Sequence, residues 1–215
     1  MANVKISNLS ELTGSPVGTY IVVNNSSEDT TYKMLRSNFL SPVSTFSPSY
    51  GLFSQTGDSS VVSGTTEQSV IGPGIGSLSI PANGFSVGDT FKAILEGHFS
   101  SANDGVTIKI KAGSSILANS TNTTFNTFGA EALMKLELDF VVKSIGGAGT
   151  AEILTKGFFK AVKNNQDIKG FAFEDHNNTT FDTTVENLLD ITFQFDNTDS
   201  STYVQSDLLV LSKIY

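Results

Sequence analysis

Apolar and polar residues alternate with a period of two over long stretches of this 215-residue chain. The clearest run sets Met134, Leu136, Leu138, Phe140 and Val142 against Lys135, Glu137, Asp139 and Lys143. Phe91, Ala93, Leu95, Gly97 and Phe99 stand against Lys92, Glu96 and His98, and Val106, Ile108 and Ile110 against Thr107, Lys109 and Lys111. Side chains of an extended strand point alternately to its two faces, so each run predicts a strand with one buried and one wet face. Antiparallel sheets packed on one side read this way, whereas parallel sheets give unbroken apolar runs. The chain ends on a strand-like stretch from Thr183 to Asp196, a polar gap, and a final run from Thr202 to Ile214. Strict alternation there places Val204, Leu208, Val210 and Ile214 on the buried face and Gln205, Asp207 and Lys213 on the other. A strand that stops one step before Tyr215 predicts a tied-down C-terminus, most simply in the middle of a sheet.

Strands are expected at about 51–55, 60–71, 77–80, 90–100, 105–111, 115–118, 134–143, 150–162, 168–173, 186–196 and 202–214. Gly, Asn and Asp separate them, as turns require. So many short strands predict an all-β fold, an antiparallel double-sheet jelly-roll sandwich over residues 50–215. The one helix candidate is Gly129 to Leu133, and no repeat of fixed period is visible. Residues 1–40 read as a small β-rich unit: Val4-Lys-Ile, a turn at Gly14 to Gly18, the strand Tyr20-Ile-Val-Val, a polar tip from Asn24 to Asp29, and Thr31 to Leu35. A unit of that size buries too little surface to stand alone and is expected to dock on something. Residues 41–49, with Pro42 and Pro48, form a stiffened linker.

Composition narrows the partners. Charges balance over residues 1–50, so the net charge of −8 falls after them. An acidic domain repels phosphate backbones, which argues against nucleic acid. With no cysteine there is no disulfide, thiolate chemistry or Cys-ligated zinc, and stability must come from packing or oligomerisation. No stretch has the length of a signal peptide or of a membrane helix, so synthesis in the cytoplasm without membrane insertion is expected. Asn-X-Ser/Thr triplets at Asn8, Asn25, Asn119, Asn122 and Asn178 then read as loop composition.

Chemistry is sparsely signalled. His98 and His176 are the whole imidazole inventory, the first on the polar face of a strand, the second in a loop after Glu174-Asp175 with no converging ligands in view. The loop Asp196-Asn-Thr-Asp199 is oxygen-rich but lacks the spacing of a dedicated calcium loop, and reads as a hairpin connection. Gly72-Pro-Gly-Ile-Gly76 is a turn, since neither Gly-Lys-Ser/Thr nor a helix follows. Glu174 and Asp175 are adjacent in an extended segment, point to opposite sides and cannot flank one glycosidic bond. Sixteen Phe and no Trp suit core and subunit contacts better than sugar stacking. No catalytic residue, metal or cofactor is expected.

The stretch Ile75-Gly-Ser-Leu-Ser-Ile-Pro-Ala-Asn-Gly-Phe-Ser-Val-Gly-Asp-Thr-Phe91 with Leu95-Glu-Gly-His-Phe-Ser100, and the closing Asn187 to Phe195 and Leu209 to Tyr215, resemble the tumour-necrosis-factor-like jelly rolls of phage and large-virus structural proteins. Val4 to Thr13 with Thr31 to Arg36 similarly resembles the attachment modules of phage fibres and head appendages. The resemblance implies a non-enzymatic virion protein, a capsid decoration, head fibre or tail appendage. Residues 1–40 would hold it to capsid or tail proteins and the jelly roll would project as a homotrimer. The alternative it implies is a receptor-binding tail-fibre tip that takes a host glycan or surface protein. The chain departs from longer fibres in lacking a coiled-coil or repeat shaft.

Overall fold

Strands form where β-branched and aromatic residues alternate with polar ones, and almost the whole main unit has that character. A computed structural model describes residues 20–25, 30–35, 50–125, 127–163, 167–199 and 201–215. The chain divides into two compact units, Met1–Ser47 and Pro48–Tyr215. In the first, β1 (Tyr20–Asn25) pairs antiparallel with β2 (Thr30–Leu35), setting Ile21 opposite Met34 and Val23 opposite Tyr32. The expectations for Val4-Lys-Ile, for the Gly14 to Gly18 turn and for the linker 41–49 fall outside the described residues.

The second unit is a β-sandwich of jelly-roll type, with two antiparallel sheets packed together. Its strands are β3 (Tyr50–Gln55), β4 (Gln68–Ser69), β5 (Gly74–Gly76), β6 (Ser79–Ile80), β7 (Thr90–Ser101), β8 (Gly105–Ala112), β9 (Ser115–Asn119), β10 (Thr123–Thr124), β11 (Phe128–Ser144), β12 (Glu152–Lys163), β13 (Asp167–Asn177), β14 (Asn187–Phe195) and β15 (Tyr203–Lys213). The larger sheet has the order β13-β12-β11-β7-β15-β3-β5, and the smaller is built on β10-β8-β14-β4, with β9 beside β8 and β6 beside β14. The C-terminal strand thus lies inside a sheet, and the Thr90 amide donates to the Tyr215 carbonyl.

Rings from both inner faces meet in the core. Phe159 on β12 packs edge-on against Phe193 on β14 at 5.9 Å, and Phe99 on β7 lies 6.3 Å from Phe195. Phe125 joins Phe99 and Phe159 at one end of the sandwich, while Phe85 bridges Phe91 and Phe181 at the other. Gly157 makes room for this layer, since a Cβ there would meet the Phe173 ring at 2.3 Å. The buried faces of β7, β8 and β11 carry the apolar residues that alternation assigns to them.

Several expectations need correction. Residues 129–133 lie in strand β11, not a helix: pairing with β7 resumes at Ala132 after an irregularity, and edge-to-edge bonding outweighs the weak helical signal of Gly-Ala-Glu-Ala-Leu. The expected strand 60–71 is a loop, with strand-type pairing confined to Val62, bridged to Val204, and to Gln68–Ser69 beside β14. Gly74–Gly76, read as a turn, extends the sheet beside β3, because a Cβ at Gly74 or Gly76 would collide with the neighbouring backbone. His176, read as a loop residue, belongs to β13 and sits opposite Leu154.

The largest correction is in β15, where the pairing with β7 shifts between Ser206 and Leu208. This β-bulge reverses which side chains face the core beyond it. Val204 is buried as expected, but Leu209 and Leu211 are the buried residues past the bulge, Leu208 is 38% exposed, and Ile214 is exposed. Polar contacts fix the bulge from the flank. The Ser206 amide donates to Ser59 Oγ (3.0 Å) and the Ser59 amide to the Ser206 carbonyl (2.8 Å). The Ser206 hydroxyl donates to the Val70 carbonyl (2.6 Å), and Gln55 Nε2 donates to the Ser206 carbonyl (3.1 Å).

Candidate interaction surface

The two sheets present their outer faces differently. Over the smaller sheet the 60–69 loop is laid down by polar contacts. Glu67 accepts from Lys109 Nζ (2.6 Å), Lys111 Nζ (3.1 Å) and the Thr192 hydroxyl (2.9 Å). Ser69 donates to Asp190 (2.6 Å), and Gln194 Nε2 to the Thr65 carbonyl (2.9 Å). The Lys109 hydrogen bond leads in pulling the Glu67 carboxyl from 4.5 down to about 2, against the opposing effect of burial.

On the larger sheet the outward residues stand in rows across the strands. Leu133 on β11 is opposite Val162 on β12, which is opposite Ile168 on β13. Four residues along β12, Phe158 lies between Glu137 and Ala172. Leu133, Phe158 and Ile168 are 58%, 53% and 64% exposed, on a sheet whose other face is buried along β7, β11 and β12. Lys135 separates the apolar groups and bonds Glu96 (3.1 Å) and Glu137 (3.2 Å), while Lys156 pairs with Glu174 (3.2 Å). Lys135 in turn holds the Glu137 carboxyl below its ordinary value. Beside Leu133 is a depression of about 280 Å³ bordered by Gly97, Lys135, Lys160, Val162 and Asp207. Composition and alternation did not single out Phe158, but its neighbour did carry a signal. Consecutive residues of a strand face opposite ways, so Phe158-Phe159 in any strand must send one ring outward.

The residues weighed from sequence are scattered. His98 is on the outer face of β7, its Nε2 3.5 Å from Asp207 Oδ2. His176 Nδ1 lies 3.4 Å from Glu152 Oε1 on the outward side of β12 and β13. In the Asp196–Asp199 loop, Asp196 accepts from the Gly105 amide (2.8 Å) and Asn122 Nδ2 (3.1 Å). Asp199 accepts from the Ser201 amide and hydroxyl, and these two bonds keep its carboxyl below the usual range. Among the described residues no three His, Asp or Glu side chains converge as a metal-binding group. Glu174 and Asp175 are successive residues of β13, and Glu174 is taken up by Lys156. Asn119, Asn122 and Asn178 are exposed.

At the Phe85 end of the sandwich an apolar cavity of about 50 Å³ lies between the sheets, lined by Phe85, Phe91, Phe140, Phe181, Leu189 and Leu211 among others, with Asn187 as its polar edge. It is well below the roughly 300 Å³ at which small-molecule pockets begin. The described residues thus hold a small apolar cavity between the sheets and, on the larger sheet, an open outer face with a depression of about 280 Å³. Set against known proteins, the chain matches no family model, no curated protein and no solved structure.

Proposed function

We propose that the chain is a non-enzymatic structural component of a virus particle, a capsid decoration, head fibre or tail appendage, held through its N-terminal unit and displaying the sandwich as a trimer. The observation that carries this reading is the open face of the larger sheet, where Leu133, Phe158 and Ile168 stand in solvent although the sandwich core is closed beneath them. Apolar groups kept outside a finished core are what protein contacts cover. The two-unit organisation supports an anchor and a displayed domain. A two-stranded hairpin such as β1–β2 is at best marginally stable by itself and gains from a partner to pack on. The residue patterns that resemble phage and large-virus jelly rolls point the same way.

The test is a deletion. Removing residues 1–42 should leave the sandwich folded, with the parent's thermal melt for the second unit, and abolish incorporation into particles of the virus that encodes it. Incorporation of the shortened protein at the parent level would mean that the sandwich carries the docking surface.

A receptor-binding tip is the second reading, favoured by the loop end beyond the Phe85 cavity. There Val87, Ile145 and Val185 are exposed on loops tied together by bonds such as that from the Thr183 amide to the Gly146 carbonyl.

A further inference from the structure

The sheets end in edges of very different length. The edge strands β4, β5, β6, β9 and β10 run from two to five residues. β13, the outermost strand of the larger sheet, has 11 residues, no proline and unbroken register with β12 from Asp167 to Asn177. Proteins blunt an edge with a short strand, a proline or a bulge, because a row of open N–H and C=O groups is a template for another strand. β13 has none of the three. Among the described residues no backbone group from Gly170 to His176 bonds outside the β12 ladder, and Gly170, Ala172, Glu174 and Asp175 are exposed.

The strand's own sequence fits this edge. An antiparallel pair of identical strands is related by a two-fold axis normal to the sheet, which sets inner residues opposite inner ones and lies level with one residue. Phe171 and Phe173 lie on the inner face, where Phe171 is 5.6 Å from Phe159 and Phe173 covers Gly157, and alternation puts Lys169 and Asp175 on that face too. With the axis at Ala172, Lys169 faces Asp175 and Phe171 faces Phe173, each pair occurring twice. Moving the axis to Phe171 sets Lys169 against Phe173, and moving it to Phe173 sets Phe171 against Asp175. The Asp175 carboxylate is exposed and has no partner among the described residues.

We propose that two copies of the chain join edge to edge through β13, antiparallel about Ala172, so that their larger sheets become one continuous sheet. This is strand addition to an open edge, with backbone bonds holding the strands and the charged and aromatic pairs fixing their register. The contact goes beyond the trimeric reading above, since an isologous contact joins copies in pairs and doubles whatever number the chain otherwise forms.

Light scattering on the full chain at micromolar concentration should give an even multiple of 22.8 kDa. Lys169→Asp should halve that mass while the far-UV spectrum is kept, and adding Asp175→Lys should restore it. Within one strand the two positions are about 20 Å apart, so the swap can rescue only across copies. The cysteine-free chain permits a direct check of register. In Ala172→Cys the two introduced residues face each other with Cα atoms about 4.5–5.5 Å apart, within reach of a disulfide, and oxidation should yield covalent dimers. In Glu174→Cys they are about 13 Å apart along the strands and should stay unlinked. A parent of one or three copies overturns the pairing, three leaving the trimeric reading in place, as does an Ala172→Cys variant that links no faster than Glu174→Cys. Two copies support the pairing and overturn the trimeric reading, and six support both.

Discussion

β11 and β15 are neighbours of β7 on opposite sides, and sequence alternation behaves differently in the two. In β11, Met134, Leu136, Leu138, Phe140 and Val142 are all buried, as a strict period of two requires. In β15 the same rule holds to Ser206 and then inverts, so that Leu209 and Leu211 replace Leu208 and Val210 in the core. The difference lies in the neighbours. From Leu133 onward β11 runs in unbroken register with β12 as far as Val142, whereas β15 changes its outer partner halfway. Ser59 and Val62 flank its first half and β3 its second. The bulge sits at that change. Periodicity reports the facing of a strand only while the strand beside it continues.

The sharpest way to break this comparison is to truncate on each side of the inverted alternation. Leu209→Ala should remove a fully buried side chain and cost about 2–5 kcal/mol. Leu208→Ala, on the outward side, should cost about 0.5 kcal/mol. Thermal or denaturant melts compare the two directly, and a larger loss for Leu208 would restore the unbulged register.

Gly97 tests the partner strand. It is opposite Ser206, and a Cβ there would meet the Gln205 carbonyl oxygen at 2.1 Å and Ser206 Cα at 2.7 Å. Gly97→Ala should therefore cost about 1–3 kcal/mol through forced backbone movement, although alanine is otherwise the better strand residue. The equivalent change at Gly51, which has open space around its Cβ position, should be close to neutral by the same melt.

The smallest effect separates the loop that covers one sheet from the face left open on the other. Because the Glu67 carboxyl is pulled from 4.5 to about 2, its contribution is complete above pH 4.5 and is lost as the pH falls toward 2. Glu67→Gln should be about 1 kcal/mol less stable than the parent at neutral pH, and the gap should narrow steadily below pH 4.5. A gap independent of pH would mean that the carboxylate charge does not hold the 60–69 loop.

Much of the fold was legible. β7, β8, β12 and β14 are placed to within two residues because each has long alternation with polar breaks on both sides, whereas β11 is legible only from Met134 on and begins six residues earlier. The 60–71 segment differs from its strand-like reading because Val61, Val62, Val70 and Ile71 give a strand-like composition while Glu67 and Ser69 bond side chains across the sheet and Gln68 bonds the Ser63 carbonyl of the same segment. β13 was expected to stop at Phe173 because Glu-Asp-His-Asn resembles a loop, yet it continues to Asn177 against β12. The candidate surface was hidden for a related reason. Phe158, Leu133 and Ile168 are far apart in sequence, and only strand order makes them neighbours.

By itself the sequence determined the fold class and, in the regular strands, which residues face inward, because facing in an extended chain is a local property of the backbone. It also held a trace of the β15 bulge in Gly97, since a glycine inside a strand marks a bulge or a close backbone approach. Only the tertiary structure decided where the bulge falls, how the 56–72 segment is laid across the sheets, and which apolar residues remain outside the core. Those features depend on hydrogen bonds between residues more than a hundred positions apart, such as Gln55 and Ser59 to Ser206, and on the order in which strands are joined. Neither is encoded in the spacing of neighbours along the chain.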